Sequence, residues 1–205
     1  MKVQAWDLIF KEKGKFFTKP HWDIPRLVKL FRKKSVKRIL DLGCGSGRHV
    51  VYLAKYGFDV YGFDISPTGI KIARRWLKKE NLKAHLRVWD MNKKFPYKDN
   101  FFDAVIAIQT IHHNTPKKLK KVIKEIERVL RENGIIFITV PKTRHQAKKF
   151  KQIAERTFVP LDGKEKGLPH FYFNKKLIKE FFCNFKIVDI HMDKRNHYCF
   201  LGVKN

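Results

Sequence analysis

The sequence predicts an α/β fold of seven strands, five in β-α alternation and two in a closing hairpin. Three observations lead there. Between residues 36 and 140, short apolar runs rich in β-branched residues alternate with stretches whose apolar residues recur every three to four positions. The first run breaks into alternate glycines, Gly43, Gly45 and Gly47, directly before a helical pattern. Acids stand at the ends of the first three runs, at Asp41, Asp64 and Asp90.

Taken in order, residues 3–13 suit a short amphipathic helix presenting Trp6, Ile9 and Phe10. Asp23 can cap a second helix with Pro25 in its first turn and Leu27, Leu30 and Phe31 on one face. Residues 1–35 thus read as a helical cover for the sheet edge or the site mouth, with Phe16, Phe17, His21 and Trp22 placed to close over a ligand. Strand one spans residues 36–40, and its helix runs from Ser46 or Gly47 to Tyr56, ended by Gly57. Strand two spans 58–63, and Ser66-Pro67 opens the next helix with a cap and a first-turn proline. Strand three spans 84–89 and strand four 102–108, with Asp103 structural. Thr115-Pro116 opens a helix to Arg131, and strand five spans 135–140. Residues 141–173 interrupt the alternation as an insertion carrying Lys142, Arg144, Lys148, Lys149 and Lys151, a lid or an acceptor-recognition element. Asn174 caps a last helix, and residues 185–192 and 198–203 pair as a hairpin. The whole of 1–205 reads as one domain.

The glycine turn is built to hold a ligand. Glycines reach positive φ and let a ligand approach where a Cβ would collide, and the helix that follows points its free N–H groups at the same place. Its spacing is neither G-x-G-x-x-G, since Arg48 holds the third position, nor a phosphate loop ending in Gly-Lys. Asp41-x-Gly43-x-Gly45-x-Gly47, with Asp64 about 20 residues after the glycines and Asp90 at the third strand end, resembles class I S-adenosylmethionine-dependent methyltransferases (type 11-like).

That resemblance implies a Rossmann-like, mostly parallel sheet with helices on both faces and an antiparallel last strand. It also implies S-adenosyl-L-methionine as cofactor, the glycines against its methionine part, Asp64 on the ribose and Asp90 on the adenine amino group. Asp41, Ile65, Met91 and Gln109 complete the expected cofactor set.

The acceptor is less determined. His112 and His113 follow strand four, and His170 follows the insertion, so these three are the candidates for acceptor binding or proton removal. His191 and His197 read as structural. Ile111-His112-His113, Glu127-Arg128-Val129-Leu130 and His170-Phe171-Tyr172-Phe173 are similar to tRNA wobble-uridine carboxymethyl methyltransferases, a family that works with a small zinc-binding activator protein. Forty-six Lys and Arg face 19 Asp and Glu, a formal net charge of +27. That charge leans the reading to an RNA or tRNA acceptor. The alternative is a small-molecule acceptor, with the insertion as pocket lid and Phe158, Leu161, Leu168 and Phe171 as walls. A non-catalytic RNA-binding module ranks last, because a full set of cofactor motifs has no use in it.

The three cysteines, Cys44, Cys183 and Cys199, form no C-x-x-C pair and show no metal-ligand spacing, so the reading assigns neither disulfides nor a metal. Cys44 reads as packing. No apolar run approaches membrane-spanning length and no signal-like segment opens the chain, so a cytoplasmic protein is expected.

Overall fold

The structure, a computed structural model, describes residues 2–15, 17–142 and 149–205, with side chains from residue 5 onward. Phe16, Arg144 and Lys148 lie outside the described residues. Strands β1 (Arg38–Leu42), β2 (Asp59–Asp64), β3 (His85–Val88), β4 (Phe102–Ile108) and β5 (Leu130–Pro141) run parallel in the order 3-2-1-4-5. The numbering leaves room for a second, smaller sheet, so the closing hairpin is β9 (Phe185–Met192) and β10 (His197–Lys204). β10 inserts antiparallel between β5 and β9, which completes seven strands with the last one reversed.

Helices cover both faces. α2 (Ile24–Lys33), α3 (Arg48–Lys55) and α4 (Pro67–Lys79) pack on one face around Phe31, Val50, Ile70 and Phe137. α5 (Pro116–Val129) and α6 (Lys175–Phe181) cover the other around Phe102, Ile126, Phe182 and Phe200. In α5 the apolar residues Leu119, Val122, Ile123 and Ile126 are fully or almost fully buried, so the lysines between them face solvent.

Several boundaries differ from the sequence pattern for identifiable reasons. β1 begins at Arg38 because the Asp103 carboxylate takes the Lys37 and Arg38 N–H groups (both 2.8 Å), while Val36 N–H closes α2 on Phe31 (2.9 Å). Asp103 is structural, as expected. β5 begins at Leu130, which pairs with Phe102 ahead of the turn at Asn133, a residue at φ +58°. Asp23 precedes α2 without capping it, since its carboxylate is occupied by Arg26 (2.6 Å) and His191 (3.2 Å). The insertion folds into a second, three-stranded antiparallel sheet of β6 (Phe150–Ala154), β7 (Thr157–Pro160) and β8 (His170–Phe171). Two strand-length runs on either side of the Glu155-Arg156 turn, with Arg156 at φ +50°, were the available signal.

Arg128 fixes the loop that leads from β3 to β4. Its guanidinium donates to the carbonyls of Phe95 (3.1 Å) and Tyr97 (2.9 Å) and pairs with Glu125 (2.7 Å) and Asp99 (2.7 Å). Replacing a part-buried cation that satisfies two loop carbonyls leaves those acceptors unmatched. Arg128→Ala should cost about 2–3 kcal/mol in urea unfolding, and a loss within experimental error would show that the loop is held by its apolar contacts.

Candidate cofactor and acceptor site

The glycine turn is stitched to the end of β2. Gly43 and Cys44 donate their N–H groups to the Phe63 carbonyl (2.9 and 3.1 Å), and Gly45 N–H donates to Asp64 Oδ2 (2.9 Å). The other carboxylate oxygen accepts Ser66 N–H (2.8 Å), and Ser66 Oγ in turn accepts Gly69 N–H and so caps α4. Gly43 sits at φ +73°, where a Cβ would overlap the Thr110 side chain, so this turn and the one after β4 approach as closely as they do only without a side chain. Gly47 serves the packing of helices instead. At φ +90°, its missing Cβ lets α3 approach Ala73 of α4.

Between the strand ends lies a cavity of about 970 Å³. Gly43, Gly45, Asp64, Ile65, Asp90, Met91 and Gln109 border it, whereas Asp41 and Gly47 lie behind the turn. Gln109 leaves β4 at φ +57°, its N–H held by Thr139 Oγ1 (2.9 Å), and this left-handed residue turns the chain toward the cavity. Asp90 accepts the Asn92 backbone and side-chain N–H groups (both 2.9 Å).

Two further segments border the cavity. α1 (Lys2–Lys13) brings Trp6, Ile9, Phe10 and Lys13, the Phe10 ring lying against Gly45 and Gly69. Asp7 anchors this helix: it accepts Ser66 Oγ–H (2.8 Å) and Thr68 N–H (2.9 Å) at the start of α4 and pairs with Lys11 (3.0 Å). These donors outweigh burial and hold its carboxyl well below the usual range. From the insertion come Pro160, Lys164, Glu165 and Leu168. Of the other expected walls, Leu161 is solvent-exposed and Phe171 belongs to the main core, and neither they nor Phe158 border the cavity. Phe17 does border it, beneath the Arg48 guanidinium (4.9 Å), whereas Trp22 is exposed and His21 is committed elsewhere.

His21 belongs to a buried polar chain behind the turn. Its Nε2 meets Asp193 (3.1 Å), and its backbone N–H donates to His49 Nε2 (3.3 Å). That contact leaves the His49 proton on Nδ1, which faces Asp41 Oδ2 at 3.8 Å. Burial drives His49 well below its ordinary value and pushes Asp41 up to about 7, against the pull of Arg48. Burial, with Asp41 and Asp64 nearby, also raises the Cys44 thiol, which fits packing and not nucleophilic use.

At the opposite wall the three predicted histidines come together. Ring centroids are 4.1 Å apart for His112 and His113, 4.6 Å for His113 and His170, and 5.7 Å for His112 and His170. All three are buried and border the cavity. The Phe171 N–H donates to the His112 carbonyl (2.9 Å), which fastens β8 to the turn after β4. His197 also borders the cavity while bonding to Asp193, and His191 bridges Asp23 and Asp189.

Residues 39–134 match the sequence model of a family described as a methyltransferase domain. Those residues, from β1 into β5, form a methyltransferase domain. Among relatives of this domain, the tRNA N(3)-methylcytidine methyltransferase trm140 of Schizosaccharomyces pombe is 25% identical over 93% of this chain and 66% of its own length. Norajmaline N-methyltransferase of Rauvolfia serpentina is 38% identical over 51% of this chain and 36% of its own. The alignments to these relatives span one third to two thirds of their lengths. In fold, the methyltransferase domain is similar to the PH0226 protein of Pyrococcus horikoshii (TM-score 0.74, 24% identity, 95% of this chain and 99% of that one). It is also similar to magnesium protoporphyrin IX methyltransferase of Synechocystis (TM-score 0.74, 13% identity, 100% and 95%).

The domain's cofactor, S-adenosylmethionine, fits the cradle. Gly43 and Gly45 border the cavity without a side chain, Asp64 and Asp90 present carboxylates at successive strand ends, and Trp89 and Met91 give apolar walls beside Asp90. The sequence pattern did not reveal Asp7, Arg48, His49 or Glu165, nor Arg195, which also borders the cavity. Only the direct succession of Arg48 and His49 on the glycine turn was a usable signal.

Asp41 and His49 act oppositely on stability. The raised Asp41 carboxyl holds a proton in the folded state that the unfolded chain has lost, so its contribution is full below about pH 4 and is lost as pH rises through about 7. The depressed His49 contributes above its unfolded value of about 6.5 and loses that contribution as pH falls. Asp41→Asn keeps only the second effect. Its stability relative to the unaltered protein should therefore rise by about 2–3 kcal/mol between pH 5 and 8 in urea unfolding, whereas a constant difference would contradict the buried titration.

Proposed function

We propose that this methyltransferase domain transfers the methyl group of S-adenosylmethionine to a small-molecule acceptor held against His112, His113 and His170. The observation that carries the proposal is the cavity: the glycine turn, the three histidines, α1 and the insertion all border one space of about 970 Å³. A single small-ligand site occupies about 300–1,000 Å³, so this one has room for a cofactor and one compact partner, with the insertion as a lid.

The cofactor supplies a methyl group already activated on a sulfonium, so what is left to the protein is to orient and to exclude water. Asp64 holds the turn and meets the ribose. Trp6 and Phe10 close the cavity over the turn, with Asp7 fixing their helix. The histidines orient the acceptor, and one of them takes its proton where it has one to lose.

The basic residues are spread over both layers of helices. Arg26, Lys29 and Arg32 lie on α2, Lys71, Arg75 and Lys78 on α4, and Lys117, Lys120 and Lys124 on α5 across the sheet. Among the described residues the cavity itself is lined by four cations, Lys13, Arg48, Lys164 and Arg195, and four acids, Asp64, Asp90, Asp162 and Glu165, so the positive charge is not focused on it. An RNA acceptor is the second reading, favoured by the net charge of +27 and by the tRNA-modifying relative that aligns along 93% of the chain.

Transfer of labelled methyl groups to a metabolite fraction and to bulk tRNA separates the two. Label should enter the metabolite fraction and change little between about 50 and 200 mM salt, whereas label confined to tRNA and falling steeply over that range would establish the second reading. Asp64→Ala should weaken S-adenosylhomocysteine binding by about 10–100-fold in calorimetry, and unchanged affinity would remove the site assignment.

A further inference from the structure

We propose that His112, His113, His170 and Glu165 form a binding site for one divalent transition-metal ion, with zinc the best match to the donor set. Three segments far apart in sequence supply it. His112 and His113 stand on the turn after β4, His170 begins β8, and Glu165 lies on the loop from β7 to β8. One ring nitrogen from each histidine lies within 4.8 Å of the other two. A tetrahedral zinc with nitrogen bonds of about 2.0–2.1 Å brings its ligands to about 3.3 Å from one another. Small side-chain rotations close that difference without moving the backbone.

The surroundings of His170 are those of a ligand. Its Nδ1 faces the Leu168 carbonyl at 2.9 Å, which places a proton on Nδ1 and directs Nε2 toward the cluster. A backbone carbonyl on the far nitrogen is the usual partner that orients a metal-bound imidazole. Nε2 faces Glu165 Oε2 at 2.9 Å. An ion entering between them displaces the proton that the pair shares, which is released to solvent, and gives three imidazoles and a carboxylate. The Phe171 N–H bond to the His112 carbonyl sets the spacing of the two histidine segments through the backbone, so the geometry does not wait for the ion.

The molecule's other clusters of donor groups among the described residues lack these features. His21 with Asp193 (3.1 Å), and Asp23 with His191 (3.2 Å), are hydrogen-bonded pairs, and burial raises the thiol of their shared neighbour Cys199, which disfavours the thiolate a metal needs. Glu165 brings a carboxylate to His170 (2.9 Å), and Asp162 borders the same cavity, together with the cations Lys13, Arg48, Lys164 and Arg195. Four protein ligands fill a tetrahedral shell at the cavity wall, so with the ion bound the imidazoles are ligands and none of them serves as the base.

The test uses untagged full-length protein, stripped with chelator and titrated with Co²⁺ and then Zn²⁺, without turnover. Uptake of one Co²⁺ should produce a visible absorption band of nitrogen and oxygen ligation, and one equivalent of Zn²⁺ should abolish it. His170→Ala and His112→Ala should each weaken uptake by at least about 10–100-fold, while His191→Ala leaves it unchanged. S-adenosylhomocysteine binding by the same variants reports that they are folded. In the unaltered protein, added Zn²⁺ should shift the imidazole NMR signals of His112, His113 and His170 together, a readout that needs no variant. Weak uptake with an aqueous Co²⁺ spectrum, or uptake that survives both substitutions, would overturn the site.

Discussion

A single buried carboxylate organises the ligand end of the sheet. Asp64 takes the Gly45 N–H on one oxygen and the Ser66 N–H on the other, and so joins the glycine turn to the start of α4. Burial raises its carboxyl, and these backbone donors offset part of that rise. Ser66 caps α4, Asp7 caps the same helix from outside, and Asp7 thereby positions α1 with Trp6 and Phe10 over the turn. A chain of hydrogen bonds therefore connects the second strand end to the roof of the cavity. The floor and the roof of the cavity depend on one side chain.

Much of this was legible in the sequence, because the features that carried it are local. Strand alternation, the three glycines, the capping Ser66-Pro67 and the acids at strand ends each follow from residue types at short spacing. The antiparallel last strand and the two helical layers came from the resemblance to class I methyltransferases and not from the alternation itself. The histidines were legible as candidates, since residues at the carboxyl end of a parallel strand face the ligand. Their meeting was not, because His170 reaches His112 only through the second sheet and the hydrogen bond from Phe171.

What the sequence hid consists of pairings over long separations. Asp7 bonds residues 59 and 61 positions away, Arg128 clasps a loop some 30 residues before it, and His21 meets Asp193 across 172 positions. Asp23 has the look of a helix cap, yet Arg26 and His191 claim its carboxylate, so a sound local rule yields to a tertiary ion pair. His21 is drawn from the cavity in the same way. The net charge is of the same kind: its size is visible in composition, but its spread over both layers of helices is visible only in three dimensions.

The most direct test of the central claim, that one cavity between the glycine turn, α1 and the insertion holds the cofactor, is hydrogen–deuterium exchange with and without S-adenosylhomocysteine. Exchange should slow in residues 43–48, 64–66 and 89–92 and also along residues 5–13, the helix that roofs the turn. Protection confined to other parts of the chain, or an α1 that exchanges at the same rate in both states, would contradict the account.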